Sequence, residues 1–244
     1  MRYRQVIKGK FLSRPNRFLA KVEIDGREEI VHVKNTGRLK ELLLPACEVI
    51  LDVSDKENRK TKYDLIAVRK EDGSLVNIDS QIPNAVVAEW LEAGTLFSAQ
   101  ATIRREVTYG ASRFDLFVED DARKAFLEVK GVTLLKDGVA RFPDAPTERG
   151  IKQLSALCAA VRDGYEAYAV FVIQMKGACA FSPNEAMHPA FAEALRKAKN
   201  EGVHILAYDC IVCFQSITPL LKMEISRKSI RSFAVSFPEA TARM

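Results

Sequence analysis

The chain has 244 residues, 48% hydrophobic and 28% charged, which excludes wholesale disorder and allows a sizeable core without disulfide or metal staples. Its 37 Lys and Arg against 32 Asp and Glu leave a net charge of +5, concentrated at one end: residues 1–40 hold 11 basic and 4 acidic side chains, residues 41–80 hold 6 and 9. No apolar run approaches the roughly 18 residues of a membrane helix, and no apolar h-region follows Met1-Arg2-Tyr3-Arg4-Gln5, so a soluble cytoplasmic protein with no membrane partner is expected.

The first 80 residues read as short strands separated by turns. A strand over 17–24 ends at Asp25-Gly26, a hairpin dipeptide, and returns over 29–33. Further strands are expected over 49–53 and 63–68, with Asp72-Gly73 turning into 75–78. About five strands with little helix suggest a small β-barrel, of which the oligonucleotide-binding OB-fold is one kind. The pattern changes at Ser80-Gln81-Ile82-Pro83-Asn84, dividing the chain into residues 1–80 and 81–244. Beyond the break, Asn84 reads as the cap of a helix that stops at Gly94. Strands over 102–109, 113–118 and 125–134 follow, then a helix over 147–161 and an apolar strand over 168–173. A helix over 189–200 and a strand over 203–213 complete the order, and the last residues are unassigned. The fold class is therefore α/β (α+β): an OB-like barrel, then a mixed sheet whose doubly apolar strand 168–173 marks its covered centre.

Cysteines fall at 47, 158, 179, 210 and 213, an odd and scattered set that suits a reducing compartment. Cys210-Ile211-Val212-Cys213 lacks a second ligand pair for zinc and lies in an apolar strand, so both thiols are expected to be structural and buried.

The chemistry points to Asp115 with Glu128-Val129-Lys130. Residues i and i+2 of a strand share a face, so Glu128 and Lys130 project together while Val129 turns to the core. If the two strands pair as a hairpin, Asp115 comes beside Glu128. Two adjacent carboxylates repel unless a cation lies between them, and a hard divalent ion such as Mg²⁺ (or Mn²⁺) is the matching partner. A lysine beside the ion can orient an attacking water. This is the layout of a PD-(D/E)xK nuclease, and the surrounding order helix, three strands, helix, strand agrees with that core. Glu89 on the preceding helix is a third candidate ligand, and Lys152 and Gln153 lie on the following one. The same spacing also fits a surface cross-strand ion pair.

Several separated segments together resemble the sugar fermentation stimulation protein (SfsA) family over about residues 5–213. They are Arg14-Pro15-Asn16-Arg17-Phe18-Leu19-Ala20, His32-Val33-Lys34-Asn35-Thr36-Gly37-Arg38, Arg59-Lys60-Thr61-Lys62-Tyr63, Pro83-Asn84 with Glu89, Tyr109 to Asp115, Glu128-Val129-Lys130 with Val132-Thr133-Leu134, and Phe142-Pro143-Asp144-Ala145 with Thr147 and Arg149-Gly150. The resemblance implies an N-terminal OB-like domain, a restriction-endonuclease-like second domain, DNA binding and a link to sugar metabolism. Departures from the family pattern are Lys34 for a usual Pro, Gly131 for Asn or Ser, Ile151 for Gln and Gln153 for His.

With DNA as the expected partner, Arg14, Arg17, Arg38, Arg59, Lys60 and Lys62 are the expected phosphate contacts. Phe18 is assigned to the core, with a stacking face as the alternative, and Asn35-Thr36-Gly37 to a tight turn. Three functions remain open: a metal-dependent DNA endonuclease or phosphodiesterase, a non-catalytic DNA-binding regulator of sugar metabolism genes, and, behind these two, a small-anion or metabolite binder using the barrel. Self-association into a homo-oligomer is left open as well.

Overall fold

The computed structural model describes residues 1–55, 59–121 and 123–222. Strands β1 (Val6–Asn16), β2 (Leu19–Ile24), β3 (Arg27–Val33), β4 (Glu48–Val53), β5 (Tyr63–Arg69) and β6 (Leu75–Asn77) form one sheet in the order β3-β2-β1-β4-β5-β6. A parallel pairing of β3 with β5 closes the first five into a barrel. The hairpin at Asp25-Gly26 is present, with φ of 49° and 77°, the left-handed pair a two-residue turn requires. Strand β1 is the barrel element that the sequence pattern concealed. It carries Gly9 and alternates poorly, and bulges break its pairing with β2. The strand expected from Arg17 begins instead at Leu19, because Asn16 Oδ1 accepts the amides of Phe18 (2.9 Å) and Leu19 (3.0 Å) and turns the chain there.

The second unit is a six-stranded sheet in the order β15-β14-β12-β9-β8-β7. Its strands are β7 (Thr102–Tyr109), β8 (Ser112–Asp120), β9 (Arg123–Val132), β12 (Glu166–Ile173), β14 (His204–Cys213) and β15 (Ser216–Lys222). Strand β12 runs parallel to both β9 and β14 at the sheet's centre, as its unbroken apolar run requires. Helix α1 (Ile82–Glu92) covers one face; α2 (Glu148–Arg162) and α3 (Pro189–Asn200) cover the other. The single strand expected over 125–134 is divided into β9 and the short β10 (Leu134–Lys136). Strand β10 joins β11 (Val139–Phe142) and β13 (Ala180–Pro183) in a small third sheet. Of the two thiols expected to be buried, Cys210 is and Cys213 is exposed, because i and i+3 of a strand face opposite ways.

The two units share their cores. One buried cluster runs from Phe11, Val22 and Leu51 of the barrel to Phe171, Phe181 and Phe191 of the second unit. A buried polar seam joins them too: Gln174 Nε2 donates to Asn77 Oδ1 (2.7 Å) and to the Asp79 carbonyl (3.0 Å), while Asn77 Nδ2 donates to the Tyr3 hydroxyl (2.9 Å). The first residues cross to the second sheet, where Arg2 bridges Ser216. No helix among the described residues is long and apolar enough to cross a membrane.

Candidate functional site

The site forms where the antiparallel ladder between β8 and β9 ends. The last backbone pair is Leu116 with Leu127, and continuing that register sets Asp115 against Glu128. The backbones pair no further; instead Asp115 Oδ2 accepts the Val129 amide at 2.7 Å. Its other oxygen, Oδ1, accepts Asn84 Nδ2 from α1 at 2.8 Å. The sequence assigned Asn84 to the helix cap, but α1 begins earlier, with Gln81 as N-cap and Pro83 in its first turn. Asn84 is thereby freed to hold the carboxylate.

Glu128 is buried, with 3% of its surface exposed. Its Oε1 accepts Lys130 Nζ, and the same ammonium donates to Gln153 Oε1 of α2 at 2.8 Å. Its Oε2 is buried and has no hydrogen-bond partner. Burial, reinforced by the charge of Asp115, pushes the Glu128 carboxyl up to about 7, against the opposing pull of Lys130 and Arg149. Removal from water therefore outweighs the ion pair. Gln153, which stands where the resemblance has a histidine, is buried and anchors Lys130. It fills that position rather than leaving it without a polar group.

Glu89 does not join this group. It lies five residues after Asn84, about 140° around the helix, is exposed, and its carboxylate pairs with the Met1 amino group. Among the described residues no group of three or more His, Cys, Asp and Glu is placed to hold a metal. The pair Asp115 and Glu128 is what the fold brings together.

The barrel residues sort into two kinds. Arg14 is a structural clamp: its Nη1 donates to the carbonyls of Gly37 (2.8 Å) and Arg38 (3.0 Å), and its Nη2 to those of Arg17 (2.8 Å) and Asn35 (2.6 Å). Its two terminal nitrogens are spent on backbone and its Nε is buried without a partner, so the guanidinium expected to contact phosphate is committed to the barrel instead. Arg59 is likewise engaged, fork to fork, with buried Asp64 (2.9 Å, and a 2.5 Å contact). Arg17, Arg38, Lys60 and Lys62 remain exposed. Phe18, assigned to the core, is instead 52% exposed, with the Arg17 guanidinium over one face of its ring at 5.7 Å. The turn at Asn35 is as expected, with its Oδ1 accepting the Gly37 amide at 2.8 Å. A Cβ on Gly37 would meet Asp144 Oδ2 at 2.8 Å, so this glycine lets the barrel loop approach the second unit.

Comparison with known proteins gives a consistent result. The profile of the SfsA N-terminal OB domain matches residues 12–78, and that of the sugar fermentation stimulation protein RE domain matches residues 81–216. A sugar fermentation stimulation protein homolog from Desulfitobacterium hafniense (strain Y51) is 58% identical over 217 residues, covering 89% of this chain and 94% of that protein. One from Clostridium beijerinckii is 51% identical over 217 residues, with 89% and 96% covered. A solved structure described as Pyrococcus furiosus SfsA in complex with Ca²⁺ superposes with a TM-score of 0.82 at 28% identity, over 93% of this chain and 98% of that one.

Proposed function

The chain belongs to the sugar fermentation stimulation protein family, and from that premise we propose that it binds DNA through its barrel and carries a divalent-cation-dependent phosphodiesterase site in its second domain. The observation that carries the reading is the buried, unpartnered Oε2 of Glu128, beside Lys130 and across from Asp115. An orphaned carboxylate oxygen in a dry setting is costly unless a proton or a cation satisfies it. With Asp115 it forms a two-carboxylate, all-oxygen set. That suits Mg²⁺ or Mn²⁺, which need only one or two carboxylates and fill the other positions with water and phosphate oxygens. The Ca²⁺ named for the Pyrococcus furiosus relative is a hard cation of the same ligand preference.

When bound, the cation would polarise a phosphoryl oxygen and stabilise the leaving group. The chain's own residues do the rest. Asn84 and the Val129 amide fix Asp115, and Gln153 with Glu128 fixes the Lys130 ammonium, which positions a water for attack. Phe18, Arg17, Arg38, Lys60 and Lys62 offer a stacking ring and exposed positive charge for the strand.

The test is incubation of the pure protein with single- and double-stranded DNA, with and without Mg²⁺ or Mn²⁺. Cutting should require the cation and be lost in Glu128→Gln. DNA binding without cutting in any condition would replace this reading with the non-catalytic regulator.

A further inference from the structure

A cavity of about 290 Å³ lies between the barrel and the second domain, immediately beyond the Lys130 end of β9. Its floor is Gly131 to Leu134, its barrel side is Asn35-Thr36-Gly37 with Ser80, and its far wall is the segment from Arg141 to Thr147. Arg141 and Asp144 both line it, and no ion pair joins them to each other or to another described residue. Arg141 Nε is buried without a hydrogen-bond partner. Two opposite charges thus face one small cavity with unspent hydrogen-bonding capacity, one a planar donor fork and the other an acceptor pair.

Thr147, which caps α2 by accepting the Gly150 amide at 3.1 Å, also lines the cavity, so the positive end of the α2 dipole lies beside it. The cavity is far too small for a duplex and of a size to admit one base. It is walled by the apolar Phe142, Pro143 and Val132 as well as by the two charges.

We propose that this interdomain cavity receives one unstacked base of the nucleic-acid strand beside the phosphodiesterase site, with guanine the best match. Arg141 donates to the O6 and N7 acceptors of guanine, and Asp144 accepts from its N1 and N2 hydrogens. Guanine alone among the bases offers a two-acceptor edge to an arginine and a two-donor edge to a carboxylate. The inference rests on the reading of the chain as a nucleic-acid-binding phosphodiesterase and names what its site selects. It also gives Gly37 a purpose: the close approach of the barrel loop to Asp144 closes the wall of the cavity.

The experiment measures fluorescence anisotropy of labelled single-stranded dodecamers with the full-length Glu128→Gln chain, so that cutting does not enter. The dodecamers carry one guanine in a thymine background, or hypoxanthine, 7-deazaguanine or adenine at that position. Guanine should bind roughly tenfold more tightly than each replacement. Asp144→Asn should erase the preference over hypoxanthine, which lacks N2, while keeping the preference over 7-deazaguanine. Arg141→Met should do the reverse. Melting temperatures of both variants report whether the fold is kept, and Asp144→Asn, on the loop before α2, serves if Arg141→Met unfolds. Equal binding of all four dodecamers, or a preference unchanged by both substitutions, overturns the inference while leaving DNA binding intact. Absence of any binding overturns the inference and the parent reading together.

Discussion

Lys130 Nζ on β9 donates to Gln153 Oε1 on α2 at 2.8 Å, so the lysine of the Glu-x-Lys pair is held by a helix as well as by its own strand. Gln153→Leu keeps the volume and removes the acceptor. It should cost about 1–2 kcal/mol, measured by urea unfolding, since one buried hydrogen bond to a charged group is lost. In the phosphodiesterase reading it should also slow cutting without abolishing it. Gln153→His, which restores a ring nitrogen, should recover part of that loss.

Divalent cation should raise the melting temperature of the wild type. At about 100 times its dissociation constant the gain is about 2.7 kcal/mol by mass action, or roughly 5–10 °C for a chain of this size. Glu128→Gln should remove most of the rise, because it takes away the unpartnered ligand oxygen. Lys130→Ala should keep it. Retention of the full shift in Glu128→Gln would place the cation elsewhere.

In the cation-binding reading, protons and cations compete for Glu128. Because its carboxyl is pushed up to about 7, cation affinity should climb about tenfold per pH unit toward pH 7 and level off above it. In cation-free protein the sign is opposite for stability. The folded value lies above the ordinary 4.5, so the contribution is fully present below about pH 4.5 and is lost as pH rises through 7. Calorimetric titration with Mg²⁺ at several pH values, and melting curves in a chelator, check the two halves separately.

Arg14 and the exposed cations should behave differently. Arg14→Ala strips four backbone carbonyls of their donor and should destabilise the barrel by about 2–4 kcal/mol. Replacing Arg17, Arg38, Lys60 and Lys62 together by Ala should leave the melting temperature within a few degrees. In the DNA-binding reading it should also weaken binding and shallow its salt dependence by up to about four counterions. An unchanged salt slope would move the binding face off the barrel.

Asp64 is a buried anion of the barrel, shared by Arg59, Lys34 (3.0 Å) and His32 (3.0 Å). Burial alone would raise its carboxyl, but hydrogen bonds from Arg59, Lys34 and His32 outweigh it and hold the group well below the usual range. Its contribution is therefore present above about pH 3.8 and lost as pH falls below that. Asp64→Asn should cost about 3–5 kcal/mol, since it leaves the half-buried Lys34 without one of its two counterions. It should also flatten the acid limb of the stability curve.

The sequence by itself determined the features that rest on local rules. Asp25-Gly26 marks its hairpin because few residues tolerate two successive positive φ angles. Thr147 marks the start of α2 because a hydroxyl there satisfies a free amide. Glu128 and Lys130 share a face because strands alternate, and the β12 run is apolar throughout because both its faces are covered. Only the tertiary structure decided what the long side chains do. Asn84 reads as a cap at sequence level, yet its amide goes to Asp115, thirty-one residues away. Arg14 and Arg59 are indistinguishable from Arg17 and Lys62 by composition, but the first two meet carbonyls and a buried carboxylate. Glu89 carries the right chemistry on the wrong side of its helix. The reason is physical: periodicity fixes which face a residue is on, whereas the partner it finds depends on distances of about 3 Å set by elements far apart in the chain.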